Sequence, residues 1–233
     1  MVAPLRDHYD TEVPLSEVFV SQPQHTPDAS AKTGSQTWLF FRQWLKNPLR
    51  VAALSPSGAQ LAGLMIGELP PRAQRVVELG AGTGVFTRAL LDSNIPPEKL
   101  LVVELNTELH EYLHQQFPLV RVVNGNACDL KDIAMQQGFL TTGLADAVIS
   151  GLGLLSMPRS LQKSIVEAAF SVLKPDGCFI QFTYGPKSPI PRELLEELGL
   201  SARRGGFAWR NVPPASVFVF TRVRSEAIKA VRS

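Results

Sequence analysis

Cysteine, histidine and net charge are all scarce in this 233-residue chain. The two cysteines, Cys128 and Cys178, lack metal-type spacing, which argues against a disulfide scaffold or a zinc centre and for buried thiols in a reducing compartment. No stretch of about eighteen apolar residues occurs and no basic start leads into an apolar core, so neither a membrane span nor a signal peptide is expected. A formal net charge of +2 is too small to point to nucleic acid, and any such argument must rest on local charge. Cytoplasmic placement is the default, with a membrane surface still open to the protein.

Hydrophobic content of 45% and charged content of 19% are those of an ordinary globular protein. The length suits one large α/β domain with a terminal extension and is short for two. The expected division is a flexible acidic tail over 1–35, a helical segment over 36–72, a main domain over 73–225 and a short tail over 226–233. The first segment carries Asp7, Asp10, Glu12, Glu17 and Asp28 against Arg6 and Lys32, and buries little apolar surface. From Gln36 to Leu54 the character changes: Trp38, Phe40, Phe41 and Trp44 are interleaved with Arg42, Lys46 and Arg50. Helical spacing puts Phe41, Trp44 and Leu45 on one stripe and Arg42 and Lys46 on another side. Such a helix suits a membrane interface, and it equally suits a core-facing aromatic stripe.

The stretch Val76 to Phe86 reads VVELGAGTGVF. Its apolar start, its glycines at 80, 82 and 84, and the helical pattern that follows predict a strand, a tight turn and a helix N-terminus that can face an anionic group. Glycines alone serve many nucleotide sites, NAD-binding turns included. The order Glu-x-Gly-x-Gly-x-Gly differs from G-x-G-x-x-G and is the pattern of class I methyltransferases that bind S-adenosylmethionine. A second acid, Glu104, ends the next apolar run, where a carboxylate lies beside the ribose of a bound nucleoside. Strands near Leu100–Glu104, Leu119–Val123, Ala145–Ser150 and Cys178–Tyr184 alternate with helices near Thr107–Gln116, Arg159–Leu173 and Pro191–Leu198, which predicts a parallel sheet covered on both faces. A further helix is expected over Ala59–Ile66. Phe207–Arg210 and Ser216–Val223 are too close together for a crossover and predict an antiparallel pair.

His110-Glu111-Tyr112-Leu113-His114 matches H-E-x-x-H, a zinc-peptidase spacing. The only other histidines, His8 and His25, lie in the acidic tail, so this is read as a solvated helix edge and no metal is expected. Asn126-Ala127 follows the third strand, where an amide oxygen can accept from an adenine amine; a surface turn is the alternative. Ser150-Gly151-Leu152-Gly153 follows the fourth strand and lacks the Pro-Pro-Tyr signature of adenine-methylating enzymes, which weakens a nucleic-acid reading.

FFRQWLKNP, SPSG, ELGAGTGVFTRALL, VVELN, SGLGLLSMP, QFTYGPKSP and NVPPASVFVF together resemble the bacterial phospholipid N-methyltransferase family, which makes phosphatidylcholine from phosphatidylethanolamine. The resemblance runs with gaps from about Phe40 to Phe220. It implies a Rossmann-like class I methyltransferase fold: a mostly parallel seven-stranded sheet, an antiparallel C-terminal pair, and helices on both faces. It further implies S-adenosylmethionine as donor, S-adenosylhomocysteine as product, and an amine headgroup met at an anionic membrane, with the protein peripheral on the inner face. By matching motif, Glu78, Gly80, Ala81, Gly82, Thr83 and Gly84 line the donor, with Ser150 at its rim. Glu104 and Leu105 meet the ribose, and Asn126 and Ala127 the adenine. Phe40, Phe41, Trp44, Lys46, Gly151 and Leu152 face substrate or membrane, and Tyr184 and Ser150 are the catalytic candidates. Tyr184 could instead hold the amine by cation–π contact or be core.

Two departures, Gly153 in place of proline and Asn126 in place of aspartate, leave the acceptor and the number of methylations open. Three rival readings stand beside the main one: another amine lipid such as an ornithine lipid, an RNA adenine methyltransferase using Arg42, Lys46, Arg50, Arg203, Arg204 and Arg210, and a donor-binding membrane protein without turnover.

Overall fold

The computed structural model describes residues 56–209 and 214–223. The acidic tail, the aromatic stretch with Phe40, Phe41, Trp44 and Lys46, the link 210–213 and the tail 224–233 lie outside the described residues.

The described residues open with helix α1 (Pro56–Gly67), which starts three residues before the expected Ala59, at a proline whose fixed φ suits a first helical turn. The alternation then runs β1 (Val76–Leu79), α2 (Val85–Asp92), β2 (Leu100–Glu104), α3 (Thr107–Gln116), β3 (Arg121–Asn124), α4 (Leu130–Gln136), β4 (Ala145–Ser150), α5 (Arg159–Val172), β5 (Leu173–Tyr184), α6 (Arg192–Glu197), β6 (Leu200–Ala208) and β7 (Ala215–Arg222). The strands form one seven-stranded sheet in the order β3-β2-β1-β4-β5-β7-β6. Neighbours from β3 to β5 are parallel, while β7 runs antiparallel to both β5 and β6.

The order reverses between β1 and β4, and the crevice beyond the carboxyl ends of those two strands is where ligands bind in open α/β sheets. Two apolar cores flank the sheet. Leu61 and Met65 of α1, Leu90 of α2 and Leu113 of α3 pack with Val76 and Ile149 on one face. Leu130 of α4, Ile165 and Val166 of α5 and Leu194 of α6 pack with Val77 and Val148 on the other. Because β1 is central, every residue of VVEL is buried, Glu78 included.

Three strands differ in extent from the sequence expectation, and α4 was not expected. β3 begins at Arg121 rather than Leu119, because a turn bond from Val120 N to Phe117 O leaves Leu119 78% exposed. β5 begins at Leu173 rather than Cys178, with a register irregularity opposite Ala145 and Ala147. β6 spans Leu200–Ala208 rather than Phe207–Arg210: its arginines face solvent at a sheet edge, and its Gly205-Gly206 pair lies against Glu68 and Leu64 at the end of α1. A Cβ on Gly206 would stand 2.7 Å from Leu64 Cδ2, so the two glycines let that helix approach the strand.

Candidate active site

The turn after β1 carries the site. Gly80, Gly82 and Gly84 all have positive φ, at 68°, 58° and 82°. At Gly84 both reasons for glycine coincide, since a Cβ there would also lie 2.5 Å from the Phe117 ring. Gly84 is the N-terminal cap of α2, so the first amides of that helix open onto the crevice. Ala81 is buried and Thr83 half-buried along the same turn.

Two carboxylates face this turn, and they are held differently. Glu104, at the end of β2, accepts from Gly82 N through Oε2 at 3.0 Å and from Asn106 N through Oε1 at 3.0 Å. Each oxygen keeps a second lone pair, which is what a vicinal diol needs. Glu78 accepts from the Thr87 hydroxyl at 2.6 Å through Oε2, while its Oε1 is buried without a partner among the described residues. Burial pushes the Glu78 carboxyl up to about 8; the Thr87 hydrogen bond opposes this and the nearby Glu104 charge adds to it. A buried carboxylate oxygen with nothing to bind is costly, and a ligand cation reaching it would relieve that cost.

Opposite the turn, the loop after β4 is fastened residue by residue. Gly151 N donates to Leu79 O at 2.8 Å, and a Cβ on Gly151 would come 2.4 Å from the Gly80 carbonyl oxygen. Leu152 is held at both ends: its N–H donates to Ser150 Oγ at 3.2 Å and its carbonyl accepts from Gln181 Nε2 at 2.7 Å. Ser150 is fully buried, in register with Leu79 on one side and Gln181 on the other. Its hydroxyl therefore shapes the rim loop from beneath. Leu152 in turn lies against Gly80, where a Cβ would meet its Cδ2 at 2.5 Å.

Tyr184 ends β5 on the opposite face, the face shared with Glu78. Its ring packs edge-on to Phe182 at 5.5 Å, and Phe182 packs edge-on to Phe86 at 6.0 Å, so an aromatic file leads from α2 to the end of β5. Burial pushes the Tyr184 phenol above its usual range, so it keeps its proton at neutral pH.

The other expected residues are more peripheral. Asn126 is exposed and spends its side-chain oxygen on Cys128 N at 3.0 Å, capping a short turn over Ala127–Asp129. Leu105 is 70% exposed, and its carbonyl accepts from Asn124 Nδ2 at 3.1 Å, which ties the end of β3 to that of β2. His110 and His114 have ring centroids 6.2 Å apart along α3, at a half-buried and an exposed position. Phe40, Phe41, Trp44 and Lys46 lie outside the described residues.

Sequence reading missed Thr87, Gln181 and the helix-capping Asn106, whose Oδ1 accepts from Leu109 N at 2.9 Å. The available signal was a polar residue on an otherwise apolar face, Thr87 beside Phe86 and Leu90, and Gln181 between Ile180 and Phe182.

An orphaned buried carboxylate oxygen, a second carboxylate with free lone pairs and a glycine turn at a helix N-terminus fit S-adenosylmethionine, which carries an ammonium, a ribose diol and a carboxylate. Comparison with known proteins agrees. Residues 76–177 match the family described as a methyltransferase domain. The ornithine lipid N-methyltransferase of Singulisphaera acidiphila is 32% identical over 187 residues, which are 78% of this chain and 93% of that protein. The CcbJ methyltransferase of Streptomyces caelestis aligns with a TM-score of 0.57 at 17% identity, over 74% of this chain and 92% of its own. The glycopeptide N-methyltransferase MtfA, crystallised with S-adenosylmethionine, aligns with a TM-score of 0.54 at 13% identity, over 71% of this chain and 94% of its own. These structural likenesses establish the fold. Among the described residues no helix is long and apolar enough to cross a membrane.

Proposed function

The chain belongs to the class I S-adenosylmethionine-dependent methyltransferases, and we propose that it methylates the amine of a lipid headgroup, with an ornithine-type lipid favoured over phosphatidylethanolamine. The observation that carries the acceptor class is the match along 93% of a lipid N-methyltransferase. A second feature supports it. Gly58, in the first turn of α1, lies beside Val85, the first residue of α2, with a Cβ position 3.8 Å from Val85 Cγ1. The described residues therefore begin beside the donor turn, and Phe40, Phe41, Trp44 and Lys46, which precede them in the sequence, are rings and cations suited to an anionic lipid surface.

Bound S-adenosylmethionine supplies a methyl group on a positively charged sulfur. The chain's own residues hold and orient: Glu78 offers its unpartnered oxygen to a cation, Glu104 its lone pairs to hydroxyls, and the Gly151-Leu152 loop closes the far side of the turn. Positioning of this kind supplies much of the rate of a displacement reaction. Each transfer adds one methyl to the acceptor nitrogen and releases one proton. An alkylammonium with a pKa near ~10 needs roughly 4 kcal/mol to lose that proton at pH 7. Tyr184, still protonated, and Ser150, whose hydroxyl lies buried beneath the loop, do not take it, so it leaves to water. Tyr184 instead presents its ring to the ammonium, a contact that contributes about 0.5–2 kcal/mol. Tyr184→Phe is then expected to keep activity within about threefold and Tyr184→Ala to raise KM for the lipid about tenfold. Loss of turnover in Tyr184→Phe would transfer the role to the hydroxyl.

The reading is tested by incubating the protein with methyl-labelled donor, mixed vesicles and RNA together. Label is expected in the lipid extract. Label in RNA, or donor binding with no transfer to either, would overturn it.

A further inference from the structure

Phe207 and Trp209, at the end of β6, are 42% and 70% exposed, with ring centroids 6.4 Å apart. The Arg204 guanidinium lies 5.1 Å from the Phe207 ring centroid and donates to Ser216 Oγ at 2.9 Å, so the cation is fixed beside the aromatic pair. Strand register puts this group level with the mouth of the site but on the other face of the sheet, since Phe207 pairs with Ser216 while Ala208, Ala215 and Tyr184 pack on the face of α1. Ala208 pairs with Ala215, and Ala215 pairs with Tyr184, so Trp209 stands two strands away from the proposed amine contact and one residue beyond its level. The loop that leaves Tyr184 is tied down there by Gly185 N donating to Pro214 O at 3.0 Å, and it carries the exposed Lys187. Among the described residues neither Arg204 nor Lys187 makes an ion pair, whereas Arg203 is paired with Glu68 at 2.7 Å.

We propose that this end of β6 is a lipid-docking surface, with the Phe207 and Trp209 rings entering the headgroup zone of an anionic membrane and Arg204 and Lys187 meeting its negative charge. The proposal deepens the amine-lipid reading and rests on it. Exposed tryptophan beside phenylalanine is uncommon on a protein surface that meets only water, while an indole suits the boundary between headgroup and hydrocarbon. Charge selects the occupant. A second copy of the chain packed about a two-fold axis would bring the same cations towards themselves, whereas an anionic lipid surface complements them. Docking here sets the carboxyl ends of β6 and β5, with Tyr184 two strands away, at the edge of the lipid layer.

The test uses the full chain with Trp38→Phe and Trp44→Phe, which leaves Trp209 as the only one of three tryptophans. Vesicles of phosphatidylcholine alone are compared with vesicles that also contain phosphatidylglycerol. With the anionic vesicles, Trp209 emission is expected to shift to the blue and its quenching by acrylamide to fall about threefold, and both changes are expected to reverse in high salt. Phe207→Ala with Trp209→Ala in the otherwise unaltered chain is expected to lower vesicle co-sedimentation about tenfold, while donor affinity stays within about twofold as the sign of an intact turn. Vesicle-bound protein whose Trp209 stays wet overturns the proposal. So does a Trp209 already shielded before vesicles are added, which would assign the patch to residues 1–55, or to a second copy if the shielding depends on concentration. None of these readouts needs turnover. A protein that buries Trp209 in vesicles yet methylates no amine lipid would sink the functional reading alone, and one that methylates lipid with Trp209 wet would sink this surface alone.

Discussion

Glu78→Gln is expected to weaken donor binding by about 10–100-fold while making the donor-free protein more stable at pH 8, a charge-assisted contact being worth roughly 1.5–3 kcal/mol. Both effects come from one oxygen. Oε1 of Glu78 is buried and unpartnered, and burial pushes the carboxyl up to about 8. A cationic ligand group requires the carboxylate, so binding must release the proton that the free protein holds. Apparent donor affinity is then expected to rise about tenfold from pH 6 to pH 7 and to level off above about pH 8, as linkage to a single site requires. Calorimetric titration across this range reads the effect directly, and the glutamine variant should lose the slope.

Stability moves in the opposite sense. The folded value of about 8 lies above the ordinary one of 4.5, so between those pH values the native protein keeps a proton that the unfolded chain has lost. Donor-free stability therefore falls as pH rises through that window, by an amount of the order of a few kcal/mol at 1.36 kcal/mol per unit. The glutamine variant stays neutral throughout, so its advantage over the native chain in urea denaturation should grow from pH 5 to pH 8. Equal pH dependence in the two proteins would refute the assignment of the buried charge.

Gly151→Ala is expected to lower kcat/KM at least about 100-fold, the loss that accompanies a misplacement of roughly 1 Å in a site that works by positioning. Its Cβ would stand 2.4 Å from the Gly80 carbonyl oxygen, which is backbone and cannot rotate aside. Either the donor turn or the Leu152 loop must move, and Gly151 N also gives up its best geometry with Leu79 O. Gly80→Ala is the instructive contrast. The short contact there is with Leu152 Cδ2, the flexible end of a side chain, and what remains is the strain of a positive φ, about 1–2 kcal/mol. A milder kinetic loss in Gly80→Ala than in Gly151→Ala, measured with donor and lipid varied separately, follows from this geometry. The reverse order would mean that the loop is not the rigid wall of the site.

The geometry of the turn proposed to hold the donor was legible in the sequence because its signal is local: Glu78, the alternating glycines and Glu104 each sit at a fixed offset from a strand end. The loop proposed to face the acceptor was not, because the residues that hold it act across strands. Ser150 was placed at the rim by its position after β4, but only the register with Leu79 and Gln181 shows that its hydroxyl lies beneath the loop. Gln181 reads as an odd polar residue inside a strand until its amide is seen to hold the Leu152 carbonyl. The pairing of Phe207 with the last strand was expected, but the start of β6 from Leu200 escaped notice for a related reason. At a sheet edge its Arg203, Arg204 and paired glycines break the apolar alternation, and a close helix rather than a turn explains the glycines. Helix α4 was missed because LKDIAMQ buries only Leu130 and Ala134, too few for a periodic stripe.

The acceptor is the central assignment. The most direct measurement is tandem mass spectrometry of lipid extracted from vesicles that contain both an ornithine lipid and phosphatidylethanolamine, after reaction with excess methyl donor. Successive methyl additions on the headgroup amine are expected, with the ornithine lipid consumed first. Unchanged lipid in the presence of a protein that binds the donor normally would contradict it.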